Sequence, residues 1–113
     1  MRTIFTDPRV VSSNDFFVRI RASQGELAVN IDIESAAVDC RVGRVLSVDE
    51  RWQVTAANLR LFVSIAECQY IQGASSDGVT LGGPVRRVVL HETDLRKAPI
   101  SFGEQHDTLC DTP

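Results

Sequence analysis

The segment from residue 48 to residue 72 has the pattern of one long helix with apolar residues on two opposite sides. One stripe recurs at intervals of three and four residues and comprises Trp52, Ala56, Leu59, Val63, Ala66 and Tyr70. The second stripe lies about half a turn away and comprises Val54, Leu61, Ile65 and Cys68. A surface helix of a small domain needs one apolar stripe. The pattern therefore predicts a helix that is covered on both sides.

Both ends of this helix are marked in the sequence. Ser47 and Glu50 have the spacing of a capping box, in which each side chain accepts a hydrogen bond from the other residue's backbone amide. Gly73 follows the last apolar residue and is suited to the left-handed position that ends many helices. We therefore expect the helix to begin near Val48 and to end near Gln72.

Alternating apolar and polar residues predict two strands before this helix. The apolar positions are Phe16, Val18, Ile20 and Ala22 in the first strand, and Leu27, Val29, Ile31 and Ile33 in the second. The turn at Gln24-Gly25 makes the two strands an antiparallel hairpin. A short helix is predicted at residues 35–41, and further strands at residues 79–81 and 85–90.

This order of elements predicts an α+β fold, in which a small antiparallel β-sheet has one long helix on one face and one short helix beside it. The stripe that contains Trp52, Leu59 and Val63 is expected to meet the sheet. A chain of 113 residues suits one domain. We assign residues 1–95 to that domain and residues 96–113, which have little periodic apolar content, to a loose C-terminal tail.

Composition narrows the classes of partner. The formal net charge of −3 disfavours nucleic acid, whose phosphates require a basic surface. No apolar run approaches the roughly 20 residues that span a bilayer, and the first residues have no signal-peptide core. Three widely spaced cysteines, Cys40, Cys68 and Cys110, make a poor disulfide framework. These features predict a cytoplasmic protein.

Short motifs along the chain resemble those of a known family. They are Ile31-Asp32-Ile33-Glu34-Ser35-Ala36, Asn58-Leu59-Arg60, Ile65-Ala66, Tyr70 with Gly73, Asp77-Gly78-Val79 and Thr93-Asp94-Leu95. Over residues 16–95 the chain is similar to a family of small proteobacterial proteins known as domain of unknown function 1488. It departs from the family in the longer stretch of residues 74–84 and in the tail. The resemblance implies a compact α+β domain and supplies no catalytic residues.

Candidate catalytic and metal-binding groups are sparse. His91 and Glu92 are adjacent, but neighbouring residues of a strand point to opposite faces. His106, Asp107 and Cys110 include ligand types that zinc accepts, yet they form one short cluster where zinc sites use paired ones. The glycines near residue 80 match no phosphate-loop pattern. We therefore predict no catalytic residue, no cofactor and no metal, and favour a protein without enzymatic activity over an enzyme.

Three functions stay open at this point. The favoured one is an interaction protein that forms a homodimer through the stripe of Val54, Leu61, Ile65 and Cys68. The alternative is a ligand-binding protein or enzyme with a site at the sheet edge that uses Asn30, Asp32 or His91. The third is single-stranded nucleic-acid binding by a basic patch with Phe17 on an open sheet face. The candidate patch residues are Arg19, Arg21, Arg86, Arg87, Arg96 and Lys97.

Overall fold

A computed structural model describes residues 3–96 and residue 100. The elements in chain order are β1 (Thr6–Ser13), β2 (Phe17–Gln24), β3 (Leu27–Glu34), α1 (Ser35–Val42), α2 (Val48–Ala57), α3 (Leu59–Ile71), β4 (Ser76–Thr80), β5 (Gly83–Leu90) and α4 (Glu92–Leu95). The predicted α+β class is confirmed, because the described residues form one sheet together with packed helices.

The sheet has five strands in the order β1-β2-β3-β5-β4. The predicted hairpin of β2 and β3 is confirmed, with Ile20 beside Ile31 in antiparallel register. The sheet as a whole is mixed, which corrects the prediction of an antiparallel one: β3 and β5 pair in parallel, with Ile31 beside Val88. The connection between these two strands contains three helices and β4. Such a long crossover returns β5 to the sheet in the same direction as β3.

Alternate residues of the strands form a core beneath the helices. The buried cluster includes Ile20, Val29, Ile31, Ile33, Val88 and Leu90 from the sheet, and Val38, Val54, Phe62, Val63, Ala66 and Leu95 from the helices. Because side chains alternate along a strand, the residues between these apolar positions form the opposite face of the sheet. That opposite face contains most of the polar residues discussed next.

The predicted long helix is divided at Asn58, which corrects the expectation of one continuous helix. Asn58 leaves helical geometry, with φ −119° and ψ 28°, and separates α2 from α3. Its Nδ2 donates to the Val54 carbonyl at 2.7 Å, so the side chain competes for an acceptor of the helical ladder. The predicted capping box of Ser47 and Glu50 is present at the start of α2.

The break at Asn58 also changes which residues face the sheet. Trp52, predicted to pack on the sheet, is 40% exposed, whereas Val54 from the opposite stripe is buried. Phe62 belongs to neither predicted stripe and is fully buried. Because the backbone leaves helical geometry at Asn58, stripes drawn for one straight helix do not continue from α2 into α3.

The predicted loose tail, residues 96–113, lies outside the described residues except for Arg96 and Ile100. Ile100 is partly buried against the core cluster. Within the part of the chain that the structure describes, no helix is both long and apolar enough to cross a membrane.

Candidate functional site

Arginines form a row across the face of the sheet opposite the core. Arg9 of β1 lies beside Arg21 of β2, Arg21 lies beside Asn30 of β3, and Asn30 lies beside Arg87 of β5. Neighbouring strands are about 4.8 Å apart, so the row extends over about 14 Å. Arg19 lies on the same face, one pair further along β2. We call the surface made by Arg9, Arg19, Arg21 and Arg87 the arginine face.

The centre of the arginine face is built on one buried carboxylate. The Asp32 side chain is fully buried and accepts hydrogen bonds from Arg19 Nε at 2.6 Å and Nη2 at 2.9 Å. It also accepts one from Arg87 Nε at 2.7 Å. Burial alone would raise the pKa of the Asp32 carboxyl, but the hydrogen bonds from the two arginines lower it below its ordinary value. Asp32 is therefore a charged anchor that fixes both guanidinium groups.

Asn30 anchors the next part of the row. Its Oδ1 accepts a hydrogen bond from Arg21 Nε at 2.6 Å, which fixes the orientation of the amide. The residue is only 5% exposed, and its Nδ2 donates to no described residue. Asn30 thus offers an unused donor on a surface that already has an excess of donors.

The charge of the arginine face is strongly unbalanced. Four arginines share this face of the sheet with two carboxylates, Asp32 and Glu34, which leaves a net charge of +2 on these strand residues in a chain whose formal charge is −3. Arg9 and Arg21 are direct neighbours on adjacent strands, an arrangement of like charges that destabilises a sheet. The side chains of Arg19 and Arg87 are 38% and 42% exposed, so the face is open to solvent at its centre.

The structure assembles part of the predicted basic patch. Arg19, Arg21 and Arg87 share the arginine face, and the Arg87 guanidinium lies 5.3 Å from the centre of the Phe17 ring. Arg86 points to the other side of the sheet, where it pairs with Asp77 at 2.8 Å and lies over Tyr70. Arg96 pairs with Glu92, and Lys97 lies outside the described residues.

Arg9 is the member of the arginine face that sequence analysis missed. β1 has two register shifts, one on each side of Arg9 and Val10, so its alternation is irregular. Simple alternation of apolar and polar residues therefore gave no sign that Arg9 belongs beside Arg21. The residue becomes visible as part of the site only after strand pairing is known.

Two cavities border Arg87. The first has a volume of about 330 Å³ and lies between the arginine face and the edge strand, with Arg19, Asn30 and Arg87 on one side and residues 76–80 on the other. The second, of about 340 Å³, lies towards the end of β5 and is lined by Gln69, Val89, His91 and Asp94 as well as Arg87. Arg87 therefore lines both of these cavities.

The predicted site at the sheet edge is partly assembled. Asn30 and Asp32 lie on the arginine face, and Asn30 lines the first cavity. His91 lines the second cavity and pairs through Nδ1 with Glu34 at 2.9 Å. The three predicted residues therefore belong to adjoining parts of one surface, but they do not converge on one point.

The residues of the predicted dimer interface are not all available at the surface. Val54 is 1% exposed within the chain, and Ile65 packs partly against the core. Leu61 is half-buried, whereas Cys68 is exposed as a free thiol. The exposed apolar surface of this region lies on α3, where Ile71 is 69% exposed.

Among the described residues, no group of three or more histidine, cysteine or acidic side chains is arranged to hold a metal ion. The cluster of His106, Asp107 and Cys110 lies outside the described residues. Comparison of the chain with protein-family profiles, with curated proteins and with solved structures finds no match.

Proposed function

We propose that this chain is a non-enzymatic interaction protein whose arginine face binds an acidic segment of a partner protein. The observation that supports the proposal is the group of four arginines on one open sheet face, two of which are held by the buried carboxylate of Asp32. An unpartnered protein gains no stability from placing Arg9 beside Arg21. A bound anionic partner would turn this repulsion into attraction.

The arginine face is suited to recognition of carboxylates. Arg19 and Arg87 are held by Asp32, and Arg21 is held by Asn30, so the guanidinium groups have little freedom left to lose on binding. Arg21 and Arg87 use only Nε within the described chain, which leaves their terminal nitrogens able to donate outwards. Guanidinium groups pair with carboxylates through two parallel hydrogen bonds.

An acidic protein segment fits this surface better than nucleic acid does. Binding of single-stranded nucleic acid uses several aromatic rings as stacking platforms, and among the described strand residues only Phe17 places an aromatic ring on the arginine face. One side of its ring faces the Arg87 guanidinium. The chain as a whole is acidic, which weakens long-range attraction of a phosphate backbone.

A fluorescently labelled oligoglutamate peptide tests this proposal by fluorescence anisotropy. Arg9→Gln removes one charge from the arginine face without touching Asp32 or Asn30, so we expect several-fold weaker binding. Arg60→Gln removes the same charge from the exposed side of α3 and should leave affinity unchanged. Added salt should weaken binding of the wild-type chain.

Two outcomes would contradict the proposal. Equal loss of affinity in Arg9→Gln and Arg60→Gln would mean that net charge alone governs binding. Tighter binding of a single-stranded oligonucleotide than of oligoglutamate at the same salt concentration would favour nucleic acid as the partner.

Self-association is a second candidate, favoured by the exposed apolar residues of α3. Leu61, Cys68 and Ile71 recur at intervals of seven and three residues, so they lie along one side of this helix. A second copy of the chain would cover them; of the interface residues predicted from the sequence, Leu61 and Cys68 belong to this side of α3. The similarity of residues 16–95 to domain of unknown function 1488 is a separate point, and membership of that family stays a prediction.

A further inference from the structure

We propose that the cavity of about 330 Å³ between the arginine face and β4 binds a phosphate monoester, with Asn30, Arg19 and Arg87 as donors. The inference rests on the proposed function, because it names one chemical group of the acidic partner that the arginine face would recognise. It also assigns a specific subsite within that larger surface.

Asn30 is the residue that marks the subsite. Because Arg21 Nε donates to Oδ1, the amide presents Nδ2 as its remaining polar atom. That atom donates to no described residue, and Asn30 lines the cavity. A donor that the described chain leaves unused can bind a ligand oxygen at this place without breaking a hydrogen bond within the protein.

The two arginines of the cavity supply the charge. Arg87 uses Nε for Asp32, and its terminal nitrogens meet no described acceptor. Arg19 uses Nε and Nη2 for Asp32, which leaves Nη1. Asp32 accepts three hydrogen bonds and has no exposed surface, so its oxygens are withdrawn from the cavity. The open positions on this side of the cavity are therefore donors.

The other wall of the cavity contains one acidic residue, Asp77. Its carboxylate accepts hydrogen bonds from Arg86 Nε at 2.8 Å and Nη2 at 3.1 Å, and this pair is locally neutral. The hydroxyl of Thr80 is also engaged, because it donates to the Gly83 carbonyl and accepts from the Gly82 amide. Neither residue sets the charge that a ligand meets.

A phosphate monoester matches the charge and the donors better than a carboxylate does. Arg19 and Arg87 line the cavity, and Arg21 lies beside it on Asn30; against Asp32 these three arginines leave a charge of +2. A phosphate monoester has a charge close to −2 above about pH 7 and three strong acceptor oxygens, whereas a carboxylate has one charge and two oxygens. The same group occurs on a phosphorylated side chain and in small phosphate esters, which are the two sources that the experiment must distinguish.

Isothermal titration calorimetry above about pH 7 would measure binding of inorganic phosphate, phosphoserine, and one acidic peptide with and without a phosphoserine. We expect phosphoserine to bind the wild-type chain, and the phosphopeptide to bind more tightly than its unmodified form. Tighter binding of the phosphopeptide than of phosphoserine would identify a phosphorylated partner as the source. Equal binding would identify a small ester.

Asn30→Asp is the decisive variant, because it keeps an acceptor for Arg21 and replaces the free donor by a negative oxygen. We expect at least a tenfold loss of phosphoserine affinity, since a hydrogen bond to a charged group is replaced by repulsion. Arg60→Gln changes an exposed residue of α3, outside the arginine face, and should leave phosphoserine affinity unchanged.

If circular dichroism shows that Asn30→Asp does not fold, Arg87→Lys is used in its place. This variant keeps the positive charge but removes the paired terminal nitrogens of the guanidinium group. We expect the same loss of phosphoserine affinity. Unchanged phosphoserine affinity in the folded variant, or no phosphate binding by the wild-type chain, would overturn the subsite. Binding of the unmodified peptide that depends on Arg9 would still support the arginine face. If that binding is also absent, the proposed function fails as well.

Discussion

The positions of the Arg19 and Arg87 guanidinium groups depend on one residue, Asp32. Its carboxylate has no exposed surface and accepts three hydrogen bonds from Arg19 and Arg87. Removal of a buried carboxylate leaves two guanidinium groups facing each other with no acceptor between them. Because both arginines stay partly exposed, water would compensate for part of this loss.

We expect Asp32→Asn to lower the free energy of unfolding by about 1–3 kcal/mol near neutral pH, as measured by urea denaturation. The pKa of Asp32 is lower in the folded chain than in the unfolded one, so its contribution is present above the ordinary carboxyl pKa and is lost as the pH falls through the lowered value. The difference between variant and wild type should therefore shrink below about pH 4. Asp77→Asn, which breaks an exposed pair with Arg86, is the control and should cost less. If the difference in unfolding free energy between Asp32→Asn and the wild type grew as the pH fell, it would contradict this account.

The polar positions of β3 could be predicted from the sequence, but their burial could not. Alternation between Leu27 and Ile33 correctly placed Asn30 and Asp32 on the face opposite the core. Their burial depends on arginines from other strands, and Arg87 is 55 residues away from Asp32 in the chain. A local pattern contains no information about which distant side chain covers a residue.

The sequence pattern predicts where the helices lie, but it does not predict the break between α2 and α3. The apolar spacing of residues 48–72 predicts helix correctly almost throughout, and the capping box fixes its start. The break at Asn58 depends on a side-chain hydrogen bond to the Val54 carbonyl, for which any asparagine has the necessary group. Most helical asparagines do not interrupt the helix, so the sequence alone gave no reason to divide this one. Phe62 was missed as a core residue for the same reason.

Asn58→Ala tests the role of this break in the packing of α2 against α3. We expect the free energy of unfolding to fall by about 1–2 kcal/mol, because the variant loses a buried hydrogen bond and favours a straight helix that would turn Phe62 away from the core. Gln72→Ala, at an exposed position after α3, is the control and should change stability little. Chemical denaturation measures both. A variant as stable as the wild type would show that the break is incidental.

At the scale of the whole molecule, the α+β class could be predicted and the sheet order could not. Hairpin turns indicate which neighbouring strands pair, as Gln24-Gly25 does for β2 and β3. No turn indicates that β5 lies beside β3, since the two strands are separated by three helices and β4. The arginine face depends on that order, because Arg87 reaches Asp32 only when β5 and β3 are neighbours.

The oligomeric state is the second property of the whole molecule that can be tested. If α3 joins two copies, Leu61→Asp should convert a dimer into a monomer, as measured by light scattering over a range of concentrations, because it places a charge in an apolar contact. Gln53→Asp introduces a charge at an exposed position of α2 and should leave the dimer intact. A wild-type chain that stays monomeric at high concentration would end this proposal.

The parallel pairing of β3 with β5 has a consequence for how the chain folds. β1, β2 and β3 are joined by short turns and can associate early, but β3 then has one unpaired edge until residues 83–90 arrive. Closing so long a loop is slow compared with forming a hairpin. During synthesis on the ribosome, the strand that will lie at the centre of the sheet is therefore an open edge while the next fifty or so residues are made. We expect this interval to be the time when the nascent chain is most exposed to unwanted strand pairing.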